Sequence, residues 1–321
     1  MTPRPMIGRR QLLSAVPAVA LAQAPAHAQQ PRLTLATATA GGSFVIYAQA
    51  LLDMLRSVDA IFEIRAQPSK GSSENVRLLV AGEVDLALVS GEVAQQEVFG
   101  AIDRPGARLK VVSAMYSIPG MFVVRADSRY RSIMSLRGRR VVWNAPGSGF
   151  AVQARYVMDG IGLDMDKDFE PVYIEDLDEG PLMVIEGRAA ALWGGGLRWP
   201  GFVTVANSPR GARFIVPTTD EIVRIRTKYP FMVPLTVPAG LYPGQYDALD
   251  TVGTWGFVMA RADLDDALGR RLAADFAKAQ RTGQLTKHLA QSTAKNTLAA
   301  IPDPAFLQPG VAQYYRETGL M

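Results

Sequence analysis

Residues 33–44 read Leu33-Thr34-Leu35-Ala36-Thr37-Ala38-Thr39-Ala40-Gly41-Gly42-Ser43-Phe44, and this stretch decides the fold. Leu33 to Thr37 has the short apolar character of a strand, the glycine pair breaks it, and a helix pattern follows at once. From Ser43 to Arg56, the residues Phe44, Ala48, Leu51, Leu52 and Leu55 share one face at helical spacing. The same strand–turn–helix unit recurs downstream. Phe62 to Ala66 reads as a second strand, and Ser72 or Ser73 is positioned to cap a helix running to Val80 with Glu74 in its first turn. Asp85-Leu86-Ala87-Leu88-Val89 is a continuous apolar run suited to a buried parallel strand, with Ser90 at its carboxyl end. Strands alternating with amphipathic helices predict an α/β chain.

The alternation continues. Leu109 to Met115 and Met121 to Arg125 read as two strands joined at Ile118-Pro119-Gly120. Arg139 to Trp143 is another, followed by Pro146-Gly147-Ser148-Gly149 and a helix to Gly160. Ala189 to Trp193 is a small-residue strand ending in Gly194-Gly195-Gly196. A helix is expected from Thr218 to Lys228, a strand from Gly253 to Ala260 and a long helix from Asp263 to Gln280. The strand count predicts two α/β lobes, with residues 29–122 and 252–321 in the first and 123–251 in the second. Two chain crossings between lobes make a hinge, and the cleft between them is where a ligand is expected.

Composition narrows the chemistry. Of 321 residues, 48% are hydrophobic and 20% charged, so a core of ordinary globular size is available. The net charge of +4 comes largely from Arg4, Arg9 and Arg10 at the extreme start. Without them the two signs are near parity, and no nucleic-acid or anionic-membrane partner is implied. Those arginines, the apolar run Leu12 to Ala22 and the small residues of Ala26-His27-Ala28 have the order of an export signal cleaved near Ala28. Gly8-Arg9-Arg10-Gln11-Leu12-Leu13 resembles a twin-arginine signal. The apolar run is far short of the ~20 residues that span a bilayer. A periplasmic location without membrane insertion is therefore expected, with residues 1–28 outside the fold. The chain has no Cys, which excludes disulfides, thiolate nucleophiles and cysteine metal sites. His288 is the one histidine beyond residue 28, and its Lys/Gln/Thr-rich context, Gly283 to Ser292, reads as a surface helix. The acidic run Glu175-Asp176-Leu177-Asp178-Glu179 lacks EF-hand spacing and reads as a solvated helix start. No metal or cofactor is expected.

Three glycine-rich turns follow expected strands and open helices: Thr39 to Phe44, Lys70 to Asn75, and Ala145 to Phe150. The first N–H groups of a helix have no intrahelical partner, and the macrodipole adds partial positive charge there. Glycine admits a ligand close to that backbone, and hydroxyls add donors. None of the turns is a P-loop or a full dinucleotide fingerprint. Together they suit a carboxylate or phosphate cradle. The candidate ligand contacts are Thr39, Gly41, Gly42, Ser43, Phe44, Tyr47, Ser72, Asn75, Ser90, Tyr116, Gly147, Ser148, Gly149, Phe150, Trp193, Gly195 and Gly196. The aromatic members and Trp199 are candidates to exclude water from the cleft. Lys70, Arg155 and Arg198 are possible carboxylate partners, and the sequence does not choose among them.

At these residues the chain resembles the TAXI family of TRAP-transporter solute receptors. The likeness runs through Leu35 to Phe44, Gly71 to Leu79, Gly82-Glu83-Val84-Asp85-Leu86-Ala87, Leu136 to Val141 with Ala145 to Gly149, and Pro309-Gly310-Val311-Ala312-Gln313-Tyr314-Tyr315-Arg316-Glu317. It implies a type II periplasmic-binding fold, a small organic anion as ligand and delivery to a TRAP permease; the receptor itself is expected to be a monomer. Where the family often carries an acid before its glycine strand in the second lobe, this chain has Ala189-Ala190-Ala191-Leu192-Trp193. The ligand is thus expected to differ from the family's usual amino acid. Two alternatives stay open: a ligand-presenting sensor component, and an enzyme on the same fold.

Overall fold

The computed structural model describes residues 1–3, 32–59, 63–100 and 108–321. The export signal expected over residues 1–28 lies, but for its first three residues, outside them. The chain opens with β1 (Arg32–Ala36), α1 (Ser43–Val58), β2 (Glu63–Gln67), α2 (Ser72–Ala81), β3 (Leu86–Ser90) and a single turn, α3 (Gly91–Ala94). A long strand, β4 (Lys110–Arg125), leads to β5 (Arg140–Val142), α4 (Gly149–Gly160), β6 (Glu170–Val172), α5 (Glu179–Glu186) and β7 (Ala191–Gly195). Then come α6 (Pro200–Ala206), β8 (Ala212–Ile215), α7 (Thr219–Lys228) and β9 (Val233–Val237). A second long strand, β10 (Leu249–Ala260), is followed by α8 (Asp266–Arg281), α9 (Ala294–Ala300) and α10 (Pro309–Glu317).

Neighbouring strands follow the order β2-β1-β3-β10-β4-β7-β5-β6, with β8 on β4 and β9 on β10. β1, β2 and β3 are parallel, as are β5, β6 and β7, whereas β4 and β10 run antiparallel to their neighbours. Each parallel set is covered by helices, which is why its strands read as apolar runs; all five residues of β3 are buried. One core is built from residues between Leu33 and Met115 and between Phe257 and Tyr315. Two further clusters draw on Met121 to Val252. This is a two-lobed α/β architecture, the type II periplasmic-binding fold. Its long strands β4 and β10 pass from one core to the other, pairing through Gly253 opposite Pro119 and bulging twice.

Two sequence expectations change here. The two strands expected on either side of Ile118-Pro119-Gly120 are one strand. Pro119 lies where β4 hands its pairing from β10 to β7, so the N–H it lacks costs little. The segment 283–292 around His288 is a series of turns, because Gly283, at φ +69, ends the helix before it.

Asp275 gives the fold a pH signature. It is 3% exposed on α8, and burial pushes its carboxyl up to about 6 despite Arg271, whose Nε lies 3.6 Å away. The folded chain therefore binds this proton more readily than the unfolded one, and stability falls as pH rises between about 4 and 6. Asp275→Asn is expected to remove that loss and to stabilise the chain above pH 6 by on the order of 2 kcal/mol. Urea titrations at pH 4.5 and 7 check this; equal shifts at both values would exclude it.

Candidate functional site

The helices α1, α2 and α4 all begin on one cleft. It holds about 640 Å³ including its mouth and is walled mainly by carbon. α1 starts after Gly42 and α2 after Gly71, neither with a side-chain cap. Gly71 has φ +111, a conformation suited to glycine, and it holds the N-cap position, so neither Ser72 nor Ser73 caps α2 as expected. Ser72 instead turns its hydroxyl inward, where it accepts from the Ser90 N–H at 3.0 Å and keeps its own proton to donate. α4 is capped by Ser148, whose Oγ accepts from the Ala151 N–H at 3.3 Å. The first N–H groups of such helices have no intrahelical acceptor, and the macrodipole adds partial positive charge at this end of the cleft.

Thr39, Gly42, Ser43, Phe44, Ser72, Ser90, Tyr116, Ser148, Gly149, Phe150 and Gly195 line this cleft. The other six candidates lie around it. Gly41, at φ +80, lets its turn approach Asp178. Gly147 sits beside Ser73, and Gly196 donates its N–H to the Pro119 carbonyl at the strand crossing. Tyr47 stacks edge-on against Tyr116, and its hydroxyl is 2.8 Å from Ser292 Oγ beneath the wall. Asn75 is fully buried under the floor, where its amide donates to the carbonyls of Thr37 and Leu88, both at 2.7 Å. It fixes the ends of β1 and β3 and does not face the cleft. Trp193 is fully enclosed in the core against Phe122, with ring centroids 4.8 Å apart, because β7 is covered on both faces. Trp199 is likewise buried and supports Phe150 from behind, at 4.9 Å.

Among the proposed cations, Lys70 lines the cleft at its exposed edge. Arg155 is committed elsewhere, to Asp166 at 2.9 Å and the Tyr173 hydroxyl. Arg198 borders a neighbouring cavity with Lys287 and His288. No group of three or more His, Asp or Glu side chains among the described residues is placed to hold a metal.

The banks of the cleft meet through glycine. A Cβ on Gly149 would lie 2.4 Å from Ser90 Oγ, one on Gly42 3.3 Å from Leu177, and one on Gly71 3.7 Å from the Ser148 Cα. Sequence reasoning missed the residues behind this contact. Glu92 lines the cleft fully buried, and its Oε1 accepts from Gln153 Nε2 and Thr254 Oγ1, both at 2.7 Å. Gln153 also donates to the Ile118 carbonyl at 2.8 Å, so α3, α4, β4 and β10 are tied at the crossing. The available signal was an acid within the otherwise apolar and small run Leu86 to Ala94.

Residues 35–319 match the family described as NMT1-like. The chain belongs to the NMT1-like family. Among solved structures, a Bordetella bronchiseptica RB50 protein superposes on this NMT1-like chain with a TM-score of 0.51. It is 13% identical, with 90% of this chain and 80% of that one covered. A full-length BenM point mutant gives 0.50 at 10% identity, over 80% and 70%. The alkanesulfonate-binding protein SsuA of Xanthomonas axonopodis pv. citri, bound to MOPS, gives 0.47 at 18% identity, over 88% and 83%. Among the described residues no helix is long and apolar enough to cross a membrane.

Proposed function

We propose that this chain is a periplasmic solute-binding receptor that captures a small organic anion (an amino acid, a 2-oxo acid or another carboxylate) and hands it to a TRAP-type membrane permease. The observation that carries this reading is the convergence of three helix N-termini, from both lobes, on a single cleft. Unpartnered N–H groups and the Ser43, Ser72 and Ser148 hydroxyls recognise negative charge there, with Lys70 at the edge. In this reading the ligand bridges the lobes and stabilises their closure by the contacts it gains with the second one. The lobe boundaries fall within the long strands, near Phe122 and Thr251. The TRAP partner is supported by the TAXI-like stretches, of which Gly71 to Leu79 and Ala145 to Gly149 form the cleft's own turns, and export by the basic, apolar and small-residue order of residues 1–28.

The protein binds without catalysis in this account. Among the described residues no histidine lines the cleft; His288 lines the neighbouring cavity, which Ser43 also borders. Glu92, the one acid in the lining, is held by an amide and a hydroxyl deep at the strand crossing.

A thermal-shift screen of the chain from Gln29 onward tests the reading. It would cover amino acids, 2-oxo acids, dicarboxylates and aromatic acids. One anion class is expected to raise the melting temperature selectively, with about 2.7 kcal/mol of stabilisation at a hundredfold excess over Kd. A flat response to every anion would reject an anionic ligand.

A further inference from the structure

Glu92 holds a feature that the cradle of helix ends does not use. Its Oε1 accepts two hydrogen bonds, from Gln153 and Thr254, whereas Oε2 is buried without a partner. The Gln153 bond cannot be reversed, because an amide N–H₂ only donates and this amide is oriented by its second bond to the Ile118 carbonyl, whereas the Thr254 hydroxyl can donate or accept. The groups around the carboxyl are Ser90 at the end of β3, Gln153 and Tyr156 on α4, and Thr254 on β10, with Lys70 at the exposed edge of the cleft. Of those packed closest, only Tyr156 titrates, and it also feels Glu97. Burial pushes the Glu92 carboxyl up from its ordinary value. An ionised Glu92 would be a buried charge with no cation paired to it, which costs far more than a neutral acid. With Gln153 and Thr254 both donating to Oε1, that oxygen is the carbonyl and the partnerless Oε2 carries the proton.

We infer that Glu92 takes part in recognition as a neutral carboxylic acid, its Oε2–H donating a hydrogen bond to an oxygen of the bound anion. This deepens the anion reading above and rests on it. It makes Glu92 a specificity-determining residue that favours ligands presenting an acceptor oxygen to the apolar floor, and it couples capture to pH. Loss of the proton turns a donor into a like charge facing the ligand.

The test uses whichever of succinate, 2-oxoglutarate and L-glutamate gives the largest thermal shift on the wild type, with Kd measured from pH 5.5 to 9. Wild-type affinity is expected to fall about tenfold per pH unit once Glu92 ionises. Glu92→Leu is expected to weaken binding more than about tenfold at pH 5.5. Glu92→Gln, whose amide both accepts and donates in the right places, is expected to restore binding and flatten the pH dependence. The opposite pattern, with Glu92→Gln as weak as Glu92→Leu and wild-type affinity rising with pH, would overturn the assignment. Should Glu92→Leu fail to fold, the infrared difference spectrum of wild type minus Glu92→Gln reads the same proton. A protonated-acid carbonyl band supports the inference, and a carboxylate band at pH 6 refutes it. If neither these probes nor any other anion of the screen binds the wild type, the anion reading falls and the donor role falls with it.

Discussion

Ser148→Trp is expected to abolish anion binding while the fold survives. Ser148 ends the turn that opens α4, and its Cα lies within van der Waals reach of a Cβ placed on Gly71, at 3.7 Å. The two lips of the cleft therefore meet at a distance that leaves room for small residues only. An indole at this position occupies the space over the α4 N-terminus and props the lobes apart. A loss of ~100-fold in Kd, near 2.7 kcal/mol, is the minimum expected when one of three N-terminal donor sets is blocked. The cap itself contributes ~1 kcal/mol, small beside a stability of ~5–15 kcal/mol. Calorimetric titration with the anion that gives the largest thermal shift, together with circular dichroism, checks both halves. Wild-type affinity in a folded variant would remove the Pro146 to Phe150 turn from the site.

Gly310→Ala should be among the most damaging single changes to stability, although it lies far from the cleft. α10 crosses α8 so closely that a Cβ on Gly310 would stand 1.8 Å from the Asp266 carbonyl oxygen and 2.7 Å from the Arg270 nitrogen. Both are backbone atoms of a regular helix and cannot swing aside as a side chain would. Gly269, on the facing helix, is pressed against Gln308, whose amide donates to the Leu264 carbonyl and the Asp266 carboxylate. The helices must separate to admit the methyl group. We expect about 3 kcal/mol of destabilisation, at the upper end of the overpacking range, and a fall in Tm of ~6 °C or more. An unchanged Tm would mean that the α8–α10 crossing tolerates expansion and that the close approach is not what requires glycine.

Much of the fold was legible because it is written locally. The apolar runs at Leu33, Asp85 and Arg139, the glycines after them and the amphipathic stretches that follow carry their own periodicities. Strand–turn–helix units of that kind close into parallel sheets covered by helices. The helix N-termini of the cleft were legible for the same reason, since Gly42, Gly71 and Ser148 mark them directly. The division of β4 at Pro119 misled because proline's missing N–H matters only where a neighbour asks for it, and the handover from β10 to β7 asks for none.

The sequence by itself determined the α/β alternation and the glycine-rich turns that open helices on the cleft. These depend on residues within a few positions of each other, whose backbone preferences act before any long-range contact forms. Tertiary structure alone decided what faces the cleft. It turned Asn75 beneath the floor and Trp193 into the core, took Arg155 to Asp166, and left Lys70 at the edge. It also brought Gln153 and Thr254, 61 and 162 residues distant in sequence, onto one oxygen of Glu92. Burial and hydrogen-bond partnership are properties of packed neighbours, and a residue carries no mark of its neighbours until the chain has closed around it.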